Sequence, residues 1–329
     1  MGEETRRAFG AIVSKGNLVA SGIPASWGVS YAAAAFYVRS ILSITNNAGG
    51  DLRKALVFHA IWTANVRYNS NTHADRGDGG TPEEAQPHGL RPISVLALAS
   101  ALRMPYESVR RYANALQQDG VIARHEGEGL IVNLRFLDEA PDRLQIARSN
   151  LKSFLEFLTD LRRAGCDFSS YTMPEATPLE ESMSRIGRAV VRICSESLMR
   201  TTEALAQAHG DDFIGALIHT ALYTANLRDY FKSFRGAAAG PLMPPPEALR
   251  PVSVRTLAHQ IGLPFETVRR HCARMRESAD ILMLGNRGLI VVLEDGSGGR
   301  CLEGIRRTSF DVQRLLSELH RAGLNLGGL

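Results

Sequence analysis

The strongest constraint on this chain is that it repeats itself. Leu90–Val132 aligns with Leu249–Val291 without a gap, and 17 of the 43 positions are identical. The likeness extends outward. "AIWTANVR" at 60–67 answers "ALYTANLR" at 221–228, and "LRRAG" at 161–165 answers "LHRAG" at 319–323. A segment written twice folds the same way twice, so any reading must hold in both contexts. The 329 residues are enough for two units that each bury a core. The sequence divides as 1–170 and 171–329, with "CDFSSYTMPEATPLEE" (166–181) as the linker because it combines turn formers, acids and two prolines.

Inside the repeat, Ser94 can cap a helix whose Val95, Leu98, Ala99 and Leu102 fall on one face. Pro105 suits the first turn of a second helix, since its missing N–H is not needed there. That helix buries Val109, Ala113 and Leu116, and Gly120 ends it in a left-handed cap. "VIARHEGEGLIVNL" then reads as strand, turn, strand. The second copy repeats this with Ser253, with Val254, Leu257, Ala258 and Ile261, and with Pro264 followed by Val268, Cys272 and Met275. Gly262 fits the sharp turn between its helices, where Arg103 fits less comfortably. The predicted fold is mainly α with small β-hairpin wings. It holds two tandem winged helix-turn-helix modules, at about 90–137 and 249–295, in a duplicated helical unit.

"RPVSVRTLAHQIGLPFETVRRHCARM" (250–275) resembles the winged helix-turn-helix of bacterial transcriptional regulators, the broad GntR-like and MarR-like class. The resemblance covers about 45 residues per copy and implies double-stranded DNA as the partner. In such a fold the second helix lies in the major groove with its first turns facing the bases. Tyr106, Ser108 and Arg110 then point outward in the first copy, and Phe265, Thr267 and Arg269 in the second. Arginine pairs bidentately with guanine, and a hydroxyl reaches a base edge or phosphate. Arg111 and Arg270 are placed for backbone phosphate, with Arg274 one turn further along.

The copies differ in charge. Residues 91–117 carry a net +3 and residues 250–276 a net +5. The first wing places Glu126 and Glu128 at its tip, whereas the second offers Asn286 and Arg287 to a minor groove or backbone. The second module is therefore expected to hold DNA more tightly. The whole chain is only mildly basic, at +4 with a pI near 9.0, which permits nucleic acid without demanding it.

"RKALVFHAIWTANVRY" and "DFIGALIHTALYTANLRDYF" read as amphipathic helices ahead of each module. Trp62 with Asn65, and Tyr223 with Asn226, outline a ligand pocket for a small organic acid. The competing and stronger reading is that each Asn satisfies nearby backbone while the aromatic fills core. His59 and His219 lack a carboxylate or Cys at ligand spacing, so no metal is assigned, and no cofactor. Four scattered cysteines read as reduced thiols of a cytoplasmic protein, and no run is long enough to span a membrane. With no phosphate loop, nucleophile elbow or His–Glu metal motif, nothing points to an enzyme. The expected role is a regulator reading a repeated or pseudo-repeated site, with a homodimer allowed and any small-molecule effector unspecified. The alternatives are a plasmid-type replication initiator, or a scaffold whose winged helices bind protein.

Overall fold

The structure, a computed structural model, describes residues 23–66, 90–125, 129–135, 143–172, 179–234, 243–293 and 300–326. It is mainly helical with two small antiparallel hairpins. In chain order the helices are α1 (Trp27–Asn47), α2 (Leu52–Val66), α3 (Val95–Leu102), α4 (Tyr106–Gln118), α5 (Arg143–Arg163), α6 (Leu179–Ala208), α7 (Phe213–Ser233), α8 (Val254–Ile261), α9 (Phe265–Glu277) and α10 (Arg300–Arg321). Strands β1 (Ile122–Arg124) and β2 (Leu130–Val132) follow α4, and β3 (Ile281–Met283) and β4 (Leu289–Val291) follow α9. Among the described residues no helix is long and apolar enough to cross a membrane.

The repeated segments share one local construction. Ser94 and Ser253 accept from the backbone N–H groups of Ala97 and Thr256, at 3.1 and 3.0 Å, and so start α3 and α8. The turn that follows needs a left-handed residue, and Arg103 (φ 50°) and Gly262 (φ 66°) supply it. Val109, Ala113 and Leu116 form the buried stripe of α4, and Val268, Cys272 and Met275 that of α9. A third backbone segment joins each hairpin through the bridges Ile93–Leu130 and Val252–Leu289. At Gly129 and Gly288 that segment passes so close that a Cβ would lie 2.2 Å from the Pro92 Cβ and 2.6 Å from the Val252 carbonyl carbon.

Each segment docks on its own preceding helix, α3, α4 and β2 on α2, and α8, α9 and β4 on α7. The two halves then exchange contacts reciprocally: α1 packs on α7, and α6 packs on α2. Trp27 and Tyr31 of α1 illustrate the seam. Trp27 sits against Tyr230, Phe231 and Phe234, and Tyr31 stacks on Phe231 with centroids 4.1 Å apart. Helices α2 and α7 are therefore sandwiched between a module and the bundle. They are buried almost all round, rather than amphipathic as their sequences suggest. Part of the expected linker is also core: Cys166, Phe168 and Tyr171 are buried, and Tyr171 accepts a backbone hydrogen bond from Leu326.

Candidate nucleic-acid interface

The first turns of α4 and α9 lie at the surface. Tyr106 is 49% and Phe265 46% exposed, although both are large apolar rings. Arg110, Arg111, Arg269 and Arg270 are exposed beside them, while Ser108 and Thr267 are half-buried. Val109 and Val268 are wholly buried and set the rotation of each helix, so the arginines that follow face outward.

Arg110 and Arg269 are each gripped by a glutamate one turn earlier. The Nε and Nη2 groups of Arg110 donate to the two carboxylate oxygens of Glu107 at 2.8 and 2.6 Å. Arg269 donates to Glu266 in the same pattern at the same distances. Each guanidinium holds its carboxyl below the ordinary glutamate range. Reading the sequence as a row of free arginines missed these forks. The signal was there, because Glu107 and Glu266 are identical in the two copies at i, i+3 from the arginine. Arg111 instead lies over the ring of Tyr112, 5.1 Å from its centroid.

Arg274 has a long-range partner of its own. Its guanidinium donates to Asp212 at 2.9 Å, and the same carboxylate lies 2.9 Å from Nδ1 of the buried His271. Asp212 also caps α7 by accepting from Gly215 N–H at 3.0 Å. Gly215 permits this approach, since a Cβ there would sit 2.6 Å from the carboxylate. Arg274 thus clips α9 to the start of α7 while its side chain stays exposed. Next to Asp212, Asp211 accepts from Arg103 of the first repeat at 2.8 Å. One acidic turn between α6 and α7 therefore touches both repeated segments.

Asn286 and Arg287 are exposed at the tip of the β3–β4 hairpin, where Gly285 and Gly288 both take positive φ. Arg124 is exposed on β1, while Glu126 and Glu128 lie outside the described residues. The second segment also carries Arg255, whose guanidinium sits 5.9 Å from the Phe265 ring centroid. The first has Leu96 at the matching position, 69% exposed.

The asparagines offered above as ligand-holding groups are occupied by backbone. Asn65 is fully buried, donates to the carbonyls of Arg91 and Leu130, and accepts from Val132 N–H. Asn226 repeats all three bonds with Arg250, Leu289 and Val291. Each amide pins a hairpin and the entry to a module onto its supporting helix, so neither has an N–H left for an organic acid. Trp62 packs at the edge of the first module's core and Tyr223 against Tyr31. Burial pushes the thiols of Cys166 and Cys194 up to about 12 and that of Cys272 to about 11, so none is a ready nucleophile.

No family model, curated protein or solved structure matches this chain.

Proposed function

We propose that the chain is a DNA-binding transcriptional regulator that reads a two-part site with a pair of winged helix-turn-helix modules. The observation that carries this reading is the paired exposure of Arg110–Arg111 and Arg269–Arg270 on the second turns of two equivalently built helices. Two linked modules raise each other's effective concentration on one duplex. The reciprocal packing of α1 on α7 and α6 on α2 favours a site whose halves are related by an approximate two-fold axis.

A protein-binding role for the first module is a second reading, favoured by the exposed Leu96 and Tyr106 on its outer surface. Fluorescence anisotropy on a random duplex pool over a salt series separates the two. The DNA reading expects log affinity to fall linearly with log salt, and selection to recover a two-part site. Absence of binding at low salt sinks it and favours the protein-binding role. Whether the recovered site lies beside a promoter or in an origin array divides a regulator from a replication initiator.

A further inference from the structure

We infer that Glu107 and Glu266 are positioning residues that preset Arg110 and Arg269 for guanine, at the equivalent place in each half of the bound site. This deepens the DNA reading above and rests on it.

A guanidinium has two edges that can grip a pair of acceptors. In both copies the glutamate takes the Nε–Nη2 edge. The plane of the group is thereby fixed, and the Nη1–Nη2 edge, which carries only donors, is left to meet a ligand. Both pairs stand at the surface, with side chains 45% and 70% exposed for Arg110 and Glu107 and 57% and 67% for Arg269 and Glu266. Guanine is the base that shows two acceptors, O6 and N7, together in the major groove.

Phosphate is the other acceptor such an edge could meet, but the carboxylate argues against it. A mobile arginine serves a phosphate well, and an acid beside it would repel the backbone. Fixing the plane gains most where a flat fork must match a flat base edge. The fork also persists while its surroundings change: Tyr106, Ser108 and Tyr112 become Phe265, Thr267 and His271, yet the two bond lengths agree in both copies.

The test uses the full chain and a duplex oligonucleotide selected from a random pool, with single guanines replaced by 7-deazaguanine, which lacks the N7 acceptor. For the wild type, one replacement in each half should weaken binding about tenfold. In Glu266→Ala the guanine-to-deazaguanine ratio at one half should fall to about twofold or less, with Glu107→Ala doing the same at the other. Glu266→Gln, which can still accept from the arginine, should recover part of the ratio, and Arg269→Lys should abolish it. Because each reading is a ratio within one variant, a general change in charge does not affect it. Thermal melting checks that the variants fold. A full tenfold ratio in Glu266→Ala, or no guanine dependence in the wild type, overturns the inference while leaving DNA binding intact. No binding of wild type to any duplex removes the DNA reading, and this inference with it.

Discussion

The two repeated segments are alike in construction and unlike in how they are anchored. The first has a core of its own: Val57, Ile61, Val95, Leu98, Val109, Leu116, Ile122 and Leu130 form a cluster separate from the main one. The core of the second is continuous with the bundle, so that Leu257, Val268, Ile281 and Leu289 belong to the same cluster as Trp27, Phe157 and Leu222. One copy is appended to the bundle and the other is built into it. The polar ties follow suit. The first is held at its turn by the surface pair Arg103–Asp211, while the second is clipped through the buried His271 to the cap of α7. The local skeleton is the same in both and the depth of attachment differs, so the appended copy should open at lower cost.

The asparagine clamps test this most severely. Asn65→Ala and Asn226→Ala each remove three hydrogen bonds to backbone, which costs about 3 kcal/mol. The consequences should differ. Asn226→Ala lowers the main unfolding transition, whereas Asn65→Ala splits off an earlier one confined to the first module. Thermal melting combined with hydrogen exchange reads both, and identical behaviour of the two variants breaks the comparison.

Acid should act next most strongly. Burial in α2 lowers the His59 pKa to about 4, and burial beside His209 does the same for His219 in α7. Each ring is neutral in the folded chain and takes up a proton on unfolding once the pH drops below the ordinary histidine value near 6.5. Stability is therefore fully present above about pH 6.5 and is lost progressively toward pH 4, by about 3 kcal/mol for His59. Urea midpoints at pH 7, 6, 5 and 4 measure the loss. His59 meets Ser195 of α6 on the bundle side of α2, so His59→Leu should remove its share of the loss from the main transition and leave the share due to His219.

At the interface the expected contrast is in affinity. Arg269→Ala with Arg287→Ala should weaken duplex binding about a hundredfold, and Arg110→Ala with Arg124→Ala about tenfold or less. The second segment carries the larger charge and an exposed Arg287 on its hairpin tip. Titration of the two double variants on one selected duplex decides the order. An equal or reversed loss would mean that depth of anchoring and DNA contact are unrelated.

What could be read in advance was local. Ser94 and Ser253 announce their helices because a capping hydroxyl acts within three residues, and the arginines follow from their spacing to a buried valine. The asparagine bonds were the stronger of two readings because a duplicated polar residue on an apolar helix needs partners. What could not be read depends on separation. Arg274 meets an aspartate 62 residues away, and Trp27 finds its aromatic partners some 200 residues on. No periodicity encodes those meetings. Helices α2 and α7 look amphipathic in sequence for the same reason, since a face that looks exposed from its own neighbours is covered by the other half of the chain.

The smallest effect concerns the backbone itself, where each copy has a glycine that the other lacks. At the inter-helix turn Gly262 stands opposite Arg103, and after the second helix Gly120 stands opposite Ala279; all four take positive φ. A side chain in the left-handed region costs about 1–2 kcal/mol, part of which glycine returns through its freer unfolded chain. Ala279→Gly should therefore stabilise the main transition by about 0.5–1 kcal/mol in urea titration. Arg103→Gly relieves the same strain but removes the Asp211 pair, an exposed contact worth about 0.2–1 kcal/mol, so its net gain should be near zero. Equal gains from both would show that the pair holds nothing and that the first module rests on its support helix alone. A loss from Ala279→Gly would show that the second module, for all its depth in the core, does not hold its backbone in the left-handed turn.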